Sequence, residues 1–159
     1  MKKTNFLIKL KKRDKLKLIE PSEEIKESYI KKSESNIDSA KILLDNEKLE
    51  ESVSLSYYSM YHLLTALLFK IGIKCENHTG TIILMKEIFN LDNSDISFAK
   101  SERVDKQYFT DFHITKEEVK DAIKNAEIFN NKLFDFISKT SSKDVETYRK
   151  IFKELFNLI

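Results

Sequence analysis

The chain has 159 residues, 41% of them apolar, and a formal charge of +2, which suits one domain of ordinary size and no membrane-embedded body. Two glycines and one proline leave little material for hairpins or Gly-rich phosphate loops, whose tight turns need residues tolerant of positive φ. Cys75 is the single cysteine, so an intrachain disulfide and a Cys-based zinc cage are both excluded, and a lone thiol fits a reducing cytoplasm.

Charge is distributed unevenly. Residues 1–19 hold eight Lys or Arg and one acid, Asp14, so the remainder is net negative. Such a segment reads either as a basic arm for nucleic acid or an acidic surface, or as an amphipathic lead-in helix. Its apolar residues (Phe6, Leu7, Ile8, Leu10) are interrupted by Lys9, whereas a secretory signal core needs about 7–15 apolar residues. The most apolar stretch, Leu63 to Phe69, lies between His62 and Lys70 and falls short of the roughly 20 residues of a spanning helix. A soluble, cytoplasmic protein with no membrane partner is expected.

Pro21 and Ser22 mark the first boundary. Ser22 is placed to cap a helix whose first turn carries Glu23 and Glu24, acids suited to the positive end of the dipole. Apolar residues follow at Ile25, Tyr29, Ile30, Ile37, Ala40, Leu43 and Leu44, a helical pattern that fades at Asp45–Asn46. The next predicted helix, Leu49 to Ile71, has a bundle seam at Val53, Tyr57, Met60, Leu64, Leu67 and Ile71. A second stripe runs through Leu55, Tyr58, His62, Ala66 and Phe69, so this helix must be covered on two sides and sit centrally. Gly72 should end it.

Ile73–Asn77 reads as a loop, followed by a shorter helix from His78 or Thr79 to Phe89. Asp92–Asn93–Ser94 is a turn and cap cluster before a helix from about Asp95 to Gln107. Thr115 with Glu118 forms a capping box opening a helix with Val119, Ile123, Ala126, Phe129, Leu133 and Ile137 on one face. Thr140–Ser141–Ser142 breaks it, and a final amphipathic helix carries Val145, Tyr148, Ile151, Phe152 and Leu155. No strand signal competes. The expectation is an all-α bundle, divided as a lead-in at 1–21, the bundle at 22–139 and a packed C-terminal helix at 140–159.

Most enzyme signatures are absent. The chain has no Glu-x-x-His pair for a di-metal bundle site, no H-E-x-x-H, no Walker loop and no G-x-G-x-x-G, so neither metal nor cofactor is expected. Cys75 lies three residues before His78, which makes a Cys–His nucleophile conceivable; a cysteine acting as a small hydrophobe is the plainer reading. What stands out is a set of polar aromatics and cations near one end of the bundle: Ser56-Tyr57-Tyr58-Ser59-Met60-Tyr61-His62, then His78, Arg103, Gln107 and Tyr108. Arg103 and Gln107 share a helix face. Tyr108 is five residues from Arg103 and meets it only if the helix loosens.

The run SYYSMYHLLTALLFKIGIKCENHTGTI, followed by ERVDKQYF and ITKEEVKDAIKNAEIF, resembles the HEPN family of prokaryotic helical-bundle proteins. The likeness covers about residues 5–137, since KLKLIEPSEEIKESYIKKSESNIDSAKILL is similar to the family's opening. The ordered set Tyr-Tyr-x-Met-Tyr-His, His-Thr-Gly and Arg-x-x-x-Gln-Tyr carries it. The resemblance implies an up-and-down bundle of four to six helices, a homodimer, and a cleft lined by both subunits. It further implies a role as a metal-independent ribonuclease or toxin, as an RNA- or nucleotide-binding protein, or as the partner of a minimal nucleotidyltransferase.

The family's ribonuclease motif is Arg, four to six residues, then His. From Arg103 the histidine would stand at 108, 109 or 110, where this chain has Tyr108, Phe109 and Thr110; His113 comes too late. Metal-free cleavage needs an acid or base near neutral pKa together with a cation. Tyrosine, with a pKa of about 10, serves poorly as that base. The expected site therefore has Tyr58, His62, Arg103 and Gln107 binding RNA or nucleotide, with Arg103, Tyr108 and His78 as catalytic candidates. Three readings stay open: a binding component of a toxin–antitoxin-like system, a ribonuclease pairing Arg103 with His62 or His78, and a non-catalytic dimeric scaffold. In each, these side chains also have structural readings, as a helix-bridging arginine, core tyrosines, and histidines that pack or cap.

Overall fold

A computed structural model describes residues 2–108 and 113–157, with the side chains of 104–108 left out. Among the described residues seven helices run α1 (Lys2–Lys12), α2 (Glu23–Asp45), α3 (Leu49–Ile71), α4 (His78–Phe89), α5 (Ser94–Tyr108), α6 (Lys116–Lys139) and α7 (Ser142–Leu155). The all-α expectation holds with one addition, a short antiparallel ribbon of β1 (Leu16–Leu18) and β2 (Ile73–Cys75).

Helix α3 is the axis of the bundle. The whole seam from Val53 through Ile71 is buried, and α2, α5 and α6 pack around it. Serines let α2 approach closely, because each buried hydroxyl returns its bond to backbone. Ser52 Oγ donates to the Ala40 carbonyl at 2.7 Å, Ser33 Oγ to the Ser59 carbonyl at 2.6 Å, and Ser56 Oγ to the Ser52 carbonyl at 2.9 Å. A buried hydroxyl left unbonded would cost about 1–3 kcal/mol, so these pairings are what make a polar stripe tolerable at a helix contact.

The caps follow the sequence. Ser22 accepts from the Ile25 amide, Thr115 and Glu118 close a reciprocal capping box, and Gly72 ends α3 in the left-handed region at φ 82°. Ser141 and Asp144 form a second capping box, which starts α7 at Ser142, within the expected break.

Two expectations need correction. Ile73–Cys75, read as loop, is strand β2, paired in register Leu16↔Cys75, Lys17↔Lys74 and Leu18↔Ile73. Three-residue strands are too short to display alternation, and their partner lies more than fifty residues away. The other concerns only one of the two readings of the basic lead-in: it is the amphipathic lead-in helix and not an extended arm, with Leu7 and Leu10 buried and Leu10 packed where a Cβ on Gly80 would stand. Gly80 is thus needed for the close approach of α1 to the start of α4.

At the C-terminal end of α3, Arg149 from α7 donates through Nη1 to the carbonyls of Ile19 (2.8 Å), Ile71 (2.9 Å) and Gly72 (3.3 Å). Lys70 Nζ donates to the Ile137 carbonyl at 2.6 Å. Cations belong at a helix C-terminus, where unpaired carbonyls and the negative dipole end converge. No helix among the described residues is long and apolar enough to cross a membrane.

Candidate functional site

Helical periodicity builds the first wall of the site. Tyr57 and Tyr61, and likewise Tyr58 and His62, stand four residues apart on α3 and so share a face. Their rings align accordingly: Tyr57 and Tyr61 lie 6.2 Å apart at 23°, Tyr58 and His62 5.9 Å apart at 20°. The result is a continuous aromatic surface two residues wide.

Helix α4 supplies the second wall. Gly72 turns the chain out of α3, the ribbon carries it across, and Asn77 caps α4 by accepting from the Gly80 amide at 2.8 Å. His78, the first residue of α4, then lies flat on Tyr61, with ring centroids 3.9 Å apart at 11°. Its Nδ1 is 2.8 Å from the Tyr57 hydroxyl.

From α5, Arg103 closes the group. Its guanidinium carbon is 4.9 Å from the Tyr58 ring centre and 5.6 Å from that of Tyr57, within cation–π range. Its Nε is buried, with no hydrogen-bond partner among the described residues. A guanidinium set against ring faces puts a fixed positive charge there, and its planar fork is of the kind that pairs with phosphate or carboxylate.

Protonation states follow from burial. Tyr57 has no exposed surface, and desolvation chiefly, with neighbouring Tyr61, pushes its hydroxyl well above the ordinary phenol range despite Arg103. It therefore keeps its proton and needs an acceptor, and Nδ1 of His78 is in reach. That bond leaves the His78 proton on Nε2, a tautomer that offers a donor to the cleft. Burial lowers the His78 pKa, and Arg103 and Lys100 lower it further, so the ring is neutral near pH 7.

His62 is fixed the opposite way. Its Nδ1 lies 2.7 Å from the Asn36 side-chain oxygen, which can only accept, so Nδ1 carries the proton and Nε2 a lone pair. Burial first, then Lys32 and His78, bring its pKa down to about 4. Such an imidazole is a weak base, held neutral.

Of the residues expected at the site, Tyr58, His62, His78 and Arg103 converge. The side chains of Gln107 and Tyr108 lie outside the described residues, so their expected roles stand apart from this geometry. The Cys75–His78 nucleophile is overturned. Cys75 is on β2, its thiol donates to the Asn77 carbonyl at 3.5 Å, and burial pushes its pKa up, the reverse of an activated thiolate. His113 is exposed just before α6. Sequence reasoning missed two participants: Tyr57 as the partner of His78, and Asn36 as the partner of His62. Asn36 was detectable, because it shares the inward stripe of α2 with Tyr29, Ser33 and Ala40.

Comparison with known proteins follows the same outline. The HEPN domain family model matches residues 26–135. A UPF0332 protein of Archaeoglobus fulgidus is 32% identical over 120 residues, 71% of this chain and 95% of that protein. A UPF0332 protein of Pyrococcus horikoshii is 41% identical over 84 residues, 53% of this chain and 55% of that protein, so the match spans about half of the relative's length. A Methanocaldococcus jannaschii protein named "Putative toxin" is 28% identical over 114 residues, 67% of this chain and 84% of that protein.

Proposed function

The chain belongs to the HEPN domain family, and on that premise we propose that it is the RNA-binding, toxin-like component of a two-component system. The observation that carries this reading is Arg103 lying on the faces of Tyr57 and Tyr58 beside His78. Arg103 would hold a phosphate, Nε2–H of His78 would donate to one of its oxygens, and the Tyr58–His62 surface would stack an unpaired base. Stacking on aromatic faces is how single-stranded RNA is commonly held. The similarity to a protein named as a toxin supports the toxin-like part.

Binding is favoured over cleavage for a specific reason. In the Nε2–H tautomer His78 has no free lone pair to accept a 2′-hydroxyl proton, and His62, with a pKa of about 4, is a poor base. The system would be completed by a second copy covering exposed apolar side chains such as Phe98, 61% exposed, and by a minimal nucleotidyltransferase as antitoxin.

Titrating purified protein into a labelled single-stranded oligoribonucleotide tests the reading. Salt-sensitive binding without cleavage in EDTA is the expected result, since phosphate contacts release counterions. Cleavage in EDTA that is lost in both Arg103→Ala and His62→Gln would replace it with the ribonuclease alternative. Absence of binding at low salt would remove it.

A further inference from the structure

We infer that the chain has a second RNA subsite outside the aromatic cleft: a groove between α4 and α5, closed at one side by Lys3 of α1, that takes the next phosphates of a single strand. The inference rests on the RNA-binding reading above and extends it to the path of the strand.

Residues of α4 and α5 line this groove together. At one end His78 opens α4 close to Arg103 near the end of α5, with Tyr57 and Tyr58 in contact with both. Toward the other end Asn93, just before α5, donates through Nδ2 to the Ile82 carbonyl of α4 at 2.8 Å. The space between holds about 580 Å³, with Ile82 and Ile83 on its floor and Lys3, Thr79, Ser97 and Lys100 among its walls. Lys100 precedes Arg103 by three residues and so stands one turn from it on the same helix. The cleft and the groove therefore share two helices and form one track.

The two lysines come from different elements, and each is placed by apolar packing. Leu7 and Leu10 bury α1 against the start of α4, and this docking brings Lys3 to the groove that Lys100 also lines. The hydroxyls of Thr79 and Ser97 add neutral donors, and no acidic side chain lines the groove among the described residues. An open groove lined by two cations, hydroxyl donors and apolar side chains suits a sugar–phosphate backbone. Helix α1 lies before residue 26, outside the matched family domain.

The test compares a labelled dinucleotide with a labelled octanucleotide of single-stranded RNA, by anisotropy, across a salt series. The parent should bind the longer strand more tightly and with a steeper salt slope. Lys3→Ala/Lys100→Ala should keep dinucleotide binding within about twofold. Its octanucleotide slope should be shallower by about 1.4, following roughly 0.7 per phosphate contact on single strands. An unchanged octanucleotide slope in the double variant, with parental binding intact, would overturn the groove while leaving the cleft standing. Failure of the parent to bind either strand would overturn both. Both lysines project from helix surfaces, and circular dichroism of the double variant should match the parent.

Discussion

Two arginines flank the central helix and behave in opposite ways. Arg149 reaches the C-terminal end of α3 and directs one nitrogen at three backbone carbonyls. Arg103 reaches the middle of α3, lies on two tyrosine rings, and keeps a buried Nε with no partner among the described residues. Residue type and proximity to α3 are the same in both cases; the difference is what saturates the guanidinium. Carbonyls satisfy it and make it a clasp. Ring faces hold the Arg103 guanidinium carbon 4.9 and 5.6 Å from two ring centres and take no hydrogen bond from it.

The comparison predicts that each arginine can be removed with a separate consequence. The largest effect should come from Arg149→Ala, which removes its bonds to the Ile19, Ile71 and Gly72 carbonyls and leaves Gly72 with the Ile19 amide alone. Charge-assisted hydrogen bonds of this kind contribute about 1.5–3 kcal/mol, and the loss should lower the melting temperature by roughly 5–10 °C. Calorimetry that finds no shift would show the clasp to be ornamental. Gly72→Ala should act at the same point, since its φ of 82° disfavours a Cβ and the added carbon would strike Arg149.

A smaller effect is expected from Tyr57→Phe. The ring remains, so packing is kept, but Nδ1 of His78 loses its donor at a cost of about 1–2 kcal/mol. Nitrogen chemical shifts of His78 should then report a mixture of tautomers in place of the Nε2–H form, and RNA affinity should fall several-fold. A His78 spectrum identical to the parent would contradict the tautomer assignment.

The smallest effect is a slope in pH. An unfolded histidine titrates near 6.5, whereas folded His62 does so at about 4. Between those values the unfolded chain binds more protons than the folded one, so stability falls as pH drops from about 6.5 toward 4. The burial behind the shift is partial, which keeps the effect modest. Melting temperatures of His62→Gln should decline less steeply over that window, and parallel declines would exclude His62 as a source.

How much of this was legible depended on distance along the chain. The seam of α3, its stop at Gly72 and the Thr115–Glu118 box are local patterns, and the structure keeps all three. The aromatic surface was also local, because spacings of four on a known helix place Tyr57 with Tyr61 and Tyr58 with His62. The ribbon, the docking of α1 and the Arg149 clasp each join residues more than fifty positions apart, and no short-range pattern encodes such pairings. His78 shows the boundary most clearly. Its residue type marked it as a candidate, yet its role hangs on Tyr57, a partner 21 residues away that reads from sequence as core.

The decisive measurement is RNA binding and melting temperature of Arg103→Ala and Arg149→Ala side by side. Arg103→Ala should lose at least about tenfold in affinity for single-stranded RNA, equivalent to about 1.4 kcal/mol, and melt within about 2 °C of the parent. Arg149→Ala should melt several degrees lower and, kept well below its transition, bind RNA as the parent does. Undiminished RNA binding by Arg103→Ala would contradict the assignment of the cleft.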